Sequence, residues 1–453
     1  MKKIDFTGLR HFNLGKALRR LGQAFTEGWY VKGDAASGDR MRLLACNYTS
    51  NVIANLVGGT FWTGFLLLLN ADDAFVGTIS IICTAANLLQ FLMPLILERF
   101  PRRRTLLTLF RGASYFLNVA LMGVIPLFPV SRQLKLLTVA ITVFLVNLIN
   151  AFISPGLCIW HIQSVPNNVR RQFYSIITMT VGAVVAVVNL AGSKLMDVMT
   201  AAGMEYQGVL IIRGITVVLC AVEIYLYFHI REYPYETPKE KFGLKELFCE
   251  PFRHPLYLRT VAVAFLWCFA ANVPSSYYTV YLLRNLNVSY SYITVISMLN
   301  VPIVLLLTPI WRKVLVKFGW FKTLYVAMSV YLMHYLLLSM VTRGTMVLYP
   351  TANILAFVFA IGINLAFTGI PYVNMPEKRQ TVFIGFYSSA TNLAALLGVT
   401  VGKYFVLSTE KMNLHFLGIT FTNKQALMWL TAGLLVLATV GIWWIDRKTP
   451  RSD

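Results

Sequence analysis

From Cys46 onward the chain alternates between long apolar runs and short polar gaps. Twelve runs reach the roughly 20 residues that a helix needs to cross a bilayer core about 30 Å thick. They lie near residues 46–70, 75–97, 105–128, 134–160, 172–196, 207–230, 258–283, 291–311, 321–342, 346–372, 381–407 and 424–445. The pattern predicts an all-α integral membrane protein of 12 transmembrane helices. The longest polar gap, from Arg231 to Leu256, divides the runs six and six. The implied organisation is a polar segment 1–45, a first six-helix bundle 46–231, a linker 232–257, a second bundle 258–446 and a cytoplasmic tail 447–453.

The two halves read alike. "SVPNNVRRQFYSIITMTVGAVVAVVNLAGSKLM" and "NMPEKRQTVFIGFYSSATNLAALLGVTVGKYFV" share a layout in which Pro166 matches Pro376 and Gly192 matches Gly402. "PLILERFPRRRTLL" has its counterpart in "PIWRKVLVKFGWFKTLY", again between the second and third run of its half. The bundles are therefore expected to be pseudo-symmetric. Duplicated halves of this kind place a solute near the bilayer midplane, between them.

Outside the spans, "NLGKALRRLGQAFTEGWY" puts Leu14, Leu18, Leu21, Phe25 and Trp29 on one helical face. It fits a helix on the inner leaflet or one packed against the bundle. The linker stretch "KFGLKELFCEPFRHP" carries Phe242, Leu244, Leu247 and Phe248 in a comparable pattern, with the same two readings.

Composition agrees with lipid as the main solvent: 57% of the 453 residues are hydrophobic and 13% charged, against about 25% charged in soluble domains. The net charge of +21 is scattered over short gaps, with no basic face or motif for nucleic acid. With both termini in the cytoplasm, thirty of the 40 Lys and Arg fall in inner segments, the asymmetry that orients membrane helices. The loop "NADDA" (Asn70–Ala74) then faces outward. The six cysteines form no CxxC or Cys/His cluster and read as free packing thiols. No metal site or cofactor is expected.

Residues Pro94–Arg103 carry a family likeness. The major facilitator superfamily has Gly-x-Leu-Ala-Asp-Arg-x-Gly-Arg-Lys between its second and third helices. Here Glu98, Arg99, Arg102 and Arg103 keep the spacing of acid and bases, while both glycines are prolines. With the six-plus-six topology and the repeat, the chain resembles that superfamily over nearly its whole length. The resemblance implies an inner-side latch in which Glu98 pairs with Arg102 or Arg103 and bonds a helix of the second half; the alternative is that Arg99, Arg102, Arg103 and Arg104 only fix topology. The second-half copy has Val316 where the acid would stand, so its basic residues are read as setting topology alone.

The resemblance also implies a cavity lined by helices 1, 4, 7 and 10 and flanked by 2, 5, 8 and 11. Polar side chains deep in those runs avoid lipid and are the substrate-binding candidates: Asn51, Asn55, Trp62, Asn87, Gln90, Asn147, Asn150, Trp267, Asn272, Ser275, Tyr277, Tyr278, Asn300, Asn364, Tyr387 and Asn392. Each could instead bridge helices or anchor at an interface. Pro274 reads as a kink, because it removes one backbone bond.

Arg111, Lys194, Arg213 and Lys403 near run ends are as well explained by snorkelling as by a ligand. Glu223, in "CAVEIYLYF", is the embedded carboxylate; because the resemblance implies that its helix is peripheral, it is expected to pair with a neighbouring loop or helix, with coupling to an ion as the alternative. No Asp or Glu lies inside the first, fourth, seventh or tenth run, so a central carboxylate relay for protons is not expected.

The expected function is secondary transport of a small polar or anionic organic solute by alternating access, by a monomer in a bilayer, the bacterial inner membrane. Export of amphipathic compounds is the second reading, and a transport-inactive receptor on the same scaffold the third. An enzyme is not expected, since no nucleophile–base pair appears.

Overall fold

Eleven helices among the described residues are long and apolar enough to cross a membrane, and a twelfth, Asp73–Leu88, is shorter and apolar. In chain order they are α1 (Ala36–Leu68), α2 (Asp73–Leu88), α3 (Arg104–Leu127), α4 (Arg132–Gln163), α5 (Asn168–Ala201), α6 (Glu205–His229), α7 (Pro255–Asn285), α8 (Tyr290–Phe318), α9 (Trp320–Ser339), α10 (Leu348–Tyr372), α11 (Val382–Ser408) and α12 (Asn423–Arg447). A 3₁₀ turn, Leu89–Leu92, prolongs α2. The computed structural model describes residues 29–31, 34–92, 100, 102–232, 249–275, 277–372, 374–376, 380–410, 414–416 and 419–448. Both amphipathic stretches fall mainly outside these.

Helix packing reproduces the six-plus-six division. Within the first half α1 packs on α5 and α6, α2 on α4, and α3 on α4 and α6; within the second, α7 packs on α11 and α12, α8 on α10, and α9 on α10 and α12. Two broad helix pairs cross between halves, α2 with α11 and α5 with α8. Exchanging the halves maps one pair onto the other, as pseudo-symmetry requires. Each half has its own core, yet Val280 of α7 is buried in the first-half cluster with Phe65, Leu66 and Val76. Large apolar side chains such as Leu306, Val316 and Leu437 stand exposed. In water they would form sticky patches; in a bilayer they meet acyl chains.

Most helix ends fall within a few residues of the apolar runs; α2 stops nine residues short of the end of its run, α8 continues seven beyond its own to Phe318, and α1 departs at its start. It begins some ten residues before Cys46 because its polar first turns find partners. Asp34 caps the Ala36 and Ser37 N–H groups, and the Ser37 hydroxyl holds the Asp34 carboxyl below its usual range. Buried Asp39 pairs with Arg42 at 2.9 Å and with Arg231, beyond α6, at 3.2 Å. Arg40 Nε donates to the Trp29 carbonyl at 2.8 Å. Trp29 is itself buried, edge-on to Phe173, so this residue packs on protein rather than on the leaflet.

Two helices are interrupted. α1 stops at Leu56 and restarts at Gly59, whose φ of 50° favours glycine. α7 breaks after Asn272 around Pro274, with Ser275 at φ 41°, where the proline predicted a kink. Gly192 sits against Leu56 and Phe61 at the first break, and Gly402 against the Val273 carbonyl at the second. The pair aligned between the repeats thus occupies equivalent places. One short ribbon lies outside the helices: β1 (Leu414–Phe416) and β2 (Ile419–Phe421), antiparallel, between α11 and α12.

Candidate functional site

Twelve spans put the start of α1 and the end of α12 on one face, the terminal face. At the opposite face the halves are joined by polar contacts. Asp73, in the first turn of α2, pairs through Oδ1 with Arg284 Nη1 at 3.1 Å and through Oδ2 with Lys424 Nζ at 2.7 Å. Arg284 also donates to the Ala71 carbonyl, and the Tyr277 hydroxyl to the Asp73 carbonyl at 3.2 Å. On the other helix pair, Asp197 of α5 accepts the N–H groups of Tyr290 and Ser291 at 2.7 and 2.9 Å. It caps α8 from the opposite half. Below it Ser193 and Thr294 share a hydrogen bond of 2.6 Å, while Ser275 donates to Ser80 at 2.9 Å and Lys403 to Thr78 at 2.8 Å.

Two glycines permit this approach. A methyl group on Gly64 would overlap the Tyr290 hydroxyl, and one on Gly77 would overlap the Tyr277 hydroxyl and the Lys403 stem. Sequence reasoning passed over Asp73, Asp197 and both glycines. The available signal was the acid pair Asp72 and Asp73 in one loop of that face, with Arg284 and Lys424 on the same face of the other half.

Beneath the Ser193–Thr294 contact lies a cavity of about 380 Å³ between α1, α5 and α8. Its polar lining is Asn55, Thr60, Asn189, Thr294, Ser297 and Asn300. Asn189 Nδ2 donates to Asn55 Oδ1 at 3.2 Å, while Asn189 Oδ1 is buried without a partner among the described residues.

The sequence candidates divide by position. Asn51 and Asn55 lie exposed one turn apart on α1, their amides donating four residues back at 2.8 Å. Asn392 reaches across the halves to the Asn87 carbonyl at 3.4 Å. Asn300 lines the cavity, Asn364 is exposed on α10, and Gln90 is half-buried in the 3₁₀ turn. The others turn elsewhere. Asn147 donates to the Val143 carbonyl at 2.8 Å, Asn150 accepts from Ser114 at 3.0 Å, and Asn272 donates to the Cys268 carbonyl at 2.7 Å. Trp62 stacks on Phe65, Trp267 packs against Tyr331 and Phe367, Tyr278 against Tyr281 and Tyr349, and Tyr387 against the cluster around Tyr257. Tyr277 and Ser275 belong to the far-face contacts.

At the terminal face Glu98 and Arg99 lie outside the described residues. Arg102 is exposed. Arg103 Nε donates to the Phe100 carbonyl at 2.8 Å, and the backbone N–H groups of Arg103 and Arg104 donate to Glu232, the latter at 2.9 Å. Glu232 therefore supplies the anion at the start of α3, a role the sequence reading did not assign.

Glu223 is fully buried inside the first half, 3.4 Å from Arg111 Nε. Arg111 also donates to Ser50 at 2.7 Å and lies over the Tyr115 ring at 4.5 Å. The group links α1, α3 and α6. Arg213 does not snorkel: it is buried and donates to the Asn118 carbonyl at 2.7 Å, over the Phe65 ring at 4.6 Å. A π-helical turn at Phe116–Leu121 makes these carbonyls available.

A two-bundle membrane protein with polar seams between its halves has the layout common to many transporter folds. The profile of the Major Facilitator Superfamily matches residues 43–399, and the chain belongs to that family. Among solved structures it is similar to the nucleoside transporter NupG, at 11% identity and a TM-score of 0.63 over 90% of this chain and 99% of that one. A bacterial homologue of the iron transporter ferroportin in an inward-facing state gives 13% identity and a TM-score of 0.67 with the same coverages. A bacterial ferroportin homologue in an outward-facing state gives 12% and 0.54 over 90% and 99%. At these identities the likeness shows the fold. The comparison with curated proteins gave no match.

Proposed function

We propose that the protein is a secondary transporter that carries a small polar organic solute by alternating access, held here in the state closed at the far face. The closure built on Asp73, Arg284 and Lys424 carries this reading, because it joins elements that must part for the opposite state. The higher TM-score to the inward-facing ferroportin homologue than to the outward-facing one supports the same assignment. By sequence, thirty of the 40 Lys and Arg belong to segments that the order of the spans assigns to the terminal side, which supports placing that face in the cytosol, across a bacterial inner membrane. When the terminal face closes, the loop carrying Glu98, Arg99, Arg102 and Arg103 acts as its latch. The substrate named for each neighbour belongs to that neighbour; a fold of this kind hosts many cargoes.

A second reading has one observation in its favour. An apolar groove of about 700 Å³ lies between α7 and α11 near their terminal-face ends, touched by Leu88 of α2, and would suit an amphipathic compound. The test is cysteine crosslinking of the purified protein in vesicles, with one pair across the far-face ends of α2 and α7 and another across the terminal-face ends. Alternation of the two crosslinks, mutually exclusive and shifted by solute, is the expected result. Both forming in one conformation would refute alternating access.

A further inference from the structure

We infer that the cavity between α1, α5 and α8 is the solute site and that it selects an uncharged solute bearing hydroxyl or amide groups. This rests on the transporter reading and narrows it. At about 380 Å³ the cavity is within the range of small-molecule sites. Among the described residues no ionisable side chain lines it. An organic anion entering would give up its hydration without meeting a cation, and an unpaired charge is far costlier to bury than a hydroxyl that finds a partner.

The lining instead offers neutral donors and acceptors. Asn189 Oδ1 is a buried acceptor without a partner among the described residues, and such groups carry a desolvation cost until a donor arrives. A small shift of the Asn189 amide on solute entry would turn that acceptor to a solute O–H or N–H. Asn300, Thr60 and Ser297 add neutral polar groups, with Phe61 giving an aromatic surface. The break in α1 places Gly59 in the same wall, with open space where a side chain would be.

The position also couples recognition to state. α1 and α5 come from the first half and α8 from the second, so a solute bonded to Asn189 and Asn300 ties the halves together. Thr294 lines the cavity and closes it toward the far face through Ser193. Opening the far face must separate α5 from α8 and dismantle the site, which is how a carrier releases what it holds.

The experiment uses the full chain, purified and assayed for thermal stabilisation and for uptake into vesicles. The probes are glucose, ribose, uridine and glycerol on the uncharged side, and lactate, citrate and choline on the charged side. At least one uncharged probe should stabilise the protein and be taken up. Asn189→Leu should weaken its binding about tenfold or more, the effect of losing one buried hydrogen bond. Ser297→Ala is a second variant should Asn189→Leu fold poorly. Stabilisation by charged probes alone, or uncharged binding unaffected by Asn189→Leu and Ser297→Ala, overturns the inference. In that event alternating crosslinks would leave the transporter reading standing; their failure would bring down both.

Discussion

Asp73 of α2 and Lys424 of α12 stand 351 residues apart in sequence and 2.7 Å apart in space, from opposite halves of the protein. Both are largely desolvated, with side chains 11% and 6% exposed, so the pair escapes much of the screening that weakens surface ion pairs. Arg284, at 3.1 Å on the other carboxylate oxygen, is more exposed and contributes less. Asp73→Asn leaves Lys424 without its anion only while the far face stays closed. The population should therefore shift toward the far-face-open state by about 1–3 kcal/mol, or roughly 5- to 150-fold. Spin labels on the far ends of α2 and α12 read this directly. An unchanged distance distribution would show that Asp73 is not a latch.

Gly64 and Gly77 give a steric counterpart to that electrostatic test. Each lies where the second half comes so close that a methyl group overlaps Tyr290, or Tyr277 and Lys403. Interiors yield little to overpacking, which typically costs about 1–3 kcal/mol. Here the strain exists in one state alone. Gly64→Ala and Gly77→Ala should each favour the far-face-open state and lower transport, while Gly214→Ala, with nothing within 4 Å, should change neither. Solvent accessibility of a cysteine introduced near Ser80 is the measure, and an increase in all three variants alike would defeat the steric explanation.

These two positions show where sequence reading stops. Apolar runs reveal spans because lipid acts on every residue of a run, and Pro274 announces its break by lacking an N–H. Depth is legible in the same way, and two of the candidates it singled out, Asn55 and Asn300, line the cavity between α1, α5 and α8. Facing is less legible, since an amide at midplane depth can turn to the seam, as Asn55 does, or to a neighbouring helix, as Asn150 does toward Ser114 at 3.0 Å. Pairings across hundreds of residues leave no local trace. Asp39 reads as the end of a polar segment until Arg231 is placed beside it, and Asp197 as a helix end until the α8 N–H groups meet it. Asn189 was missed because the expected lining helices did not give α5 enough weight.

Glu223 and Arg111 answer differently to substitution singly and together. Glu223 is fully buried and its partner largely so. Removing one member of such a pair strands the other, usually at about 3–5 kcal/mol, whereas replacing both by apolar residues of similar volume is often neutral. Glu223→Gln and Arg111→Met should each lower the thermal midpoint clearly, and the double variant Glu223→Leu/Arg111→Met should recover most of the loss. Such a cycle marks a strut between α1, α3 and α6. A pair that couples transport to an ion would show instead in the pH dependence of uptake by Glu223→Gln, with the midpoint little moved.

Arg213 offers the last test, of a helix irregularity rather than a site. The π-helical turn at Phe116–Leu121 leaves carbonyls that an α-helix would have used, and Arg213 donates to those of Asn118 and Val119 at 2.7 and 3.3 Å. Hydrogen bonds from a charged group are worth about 1.5–3 kcal/mol, and stacking on Phe65 adds to them. Arg213→Leu should therefore cost about 2 kcal/mol or more and accelerate amide exchange around residues 118–122. Arg213→Lys keeps the charge but loses the fork, and should fall between. If the leucine variant matched the parent in stability and exchange, the turn would owe its shape to packing alone, around Met122 and Gly123, and the arginine would be a passenger.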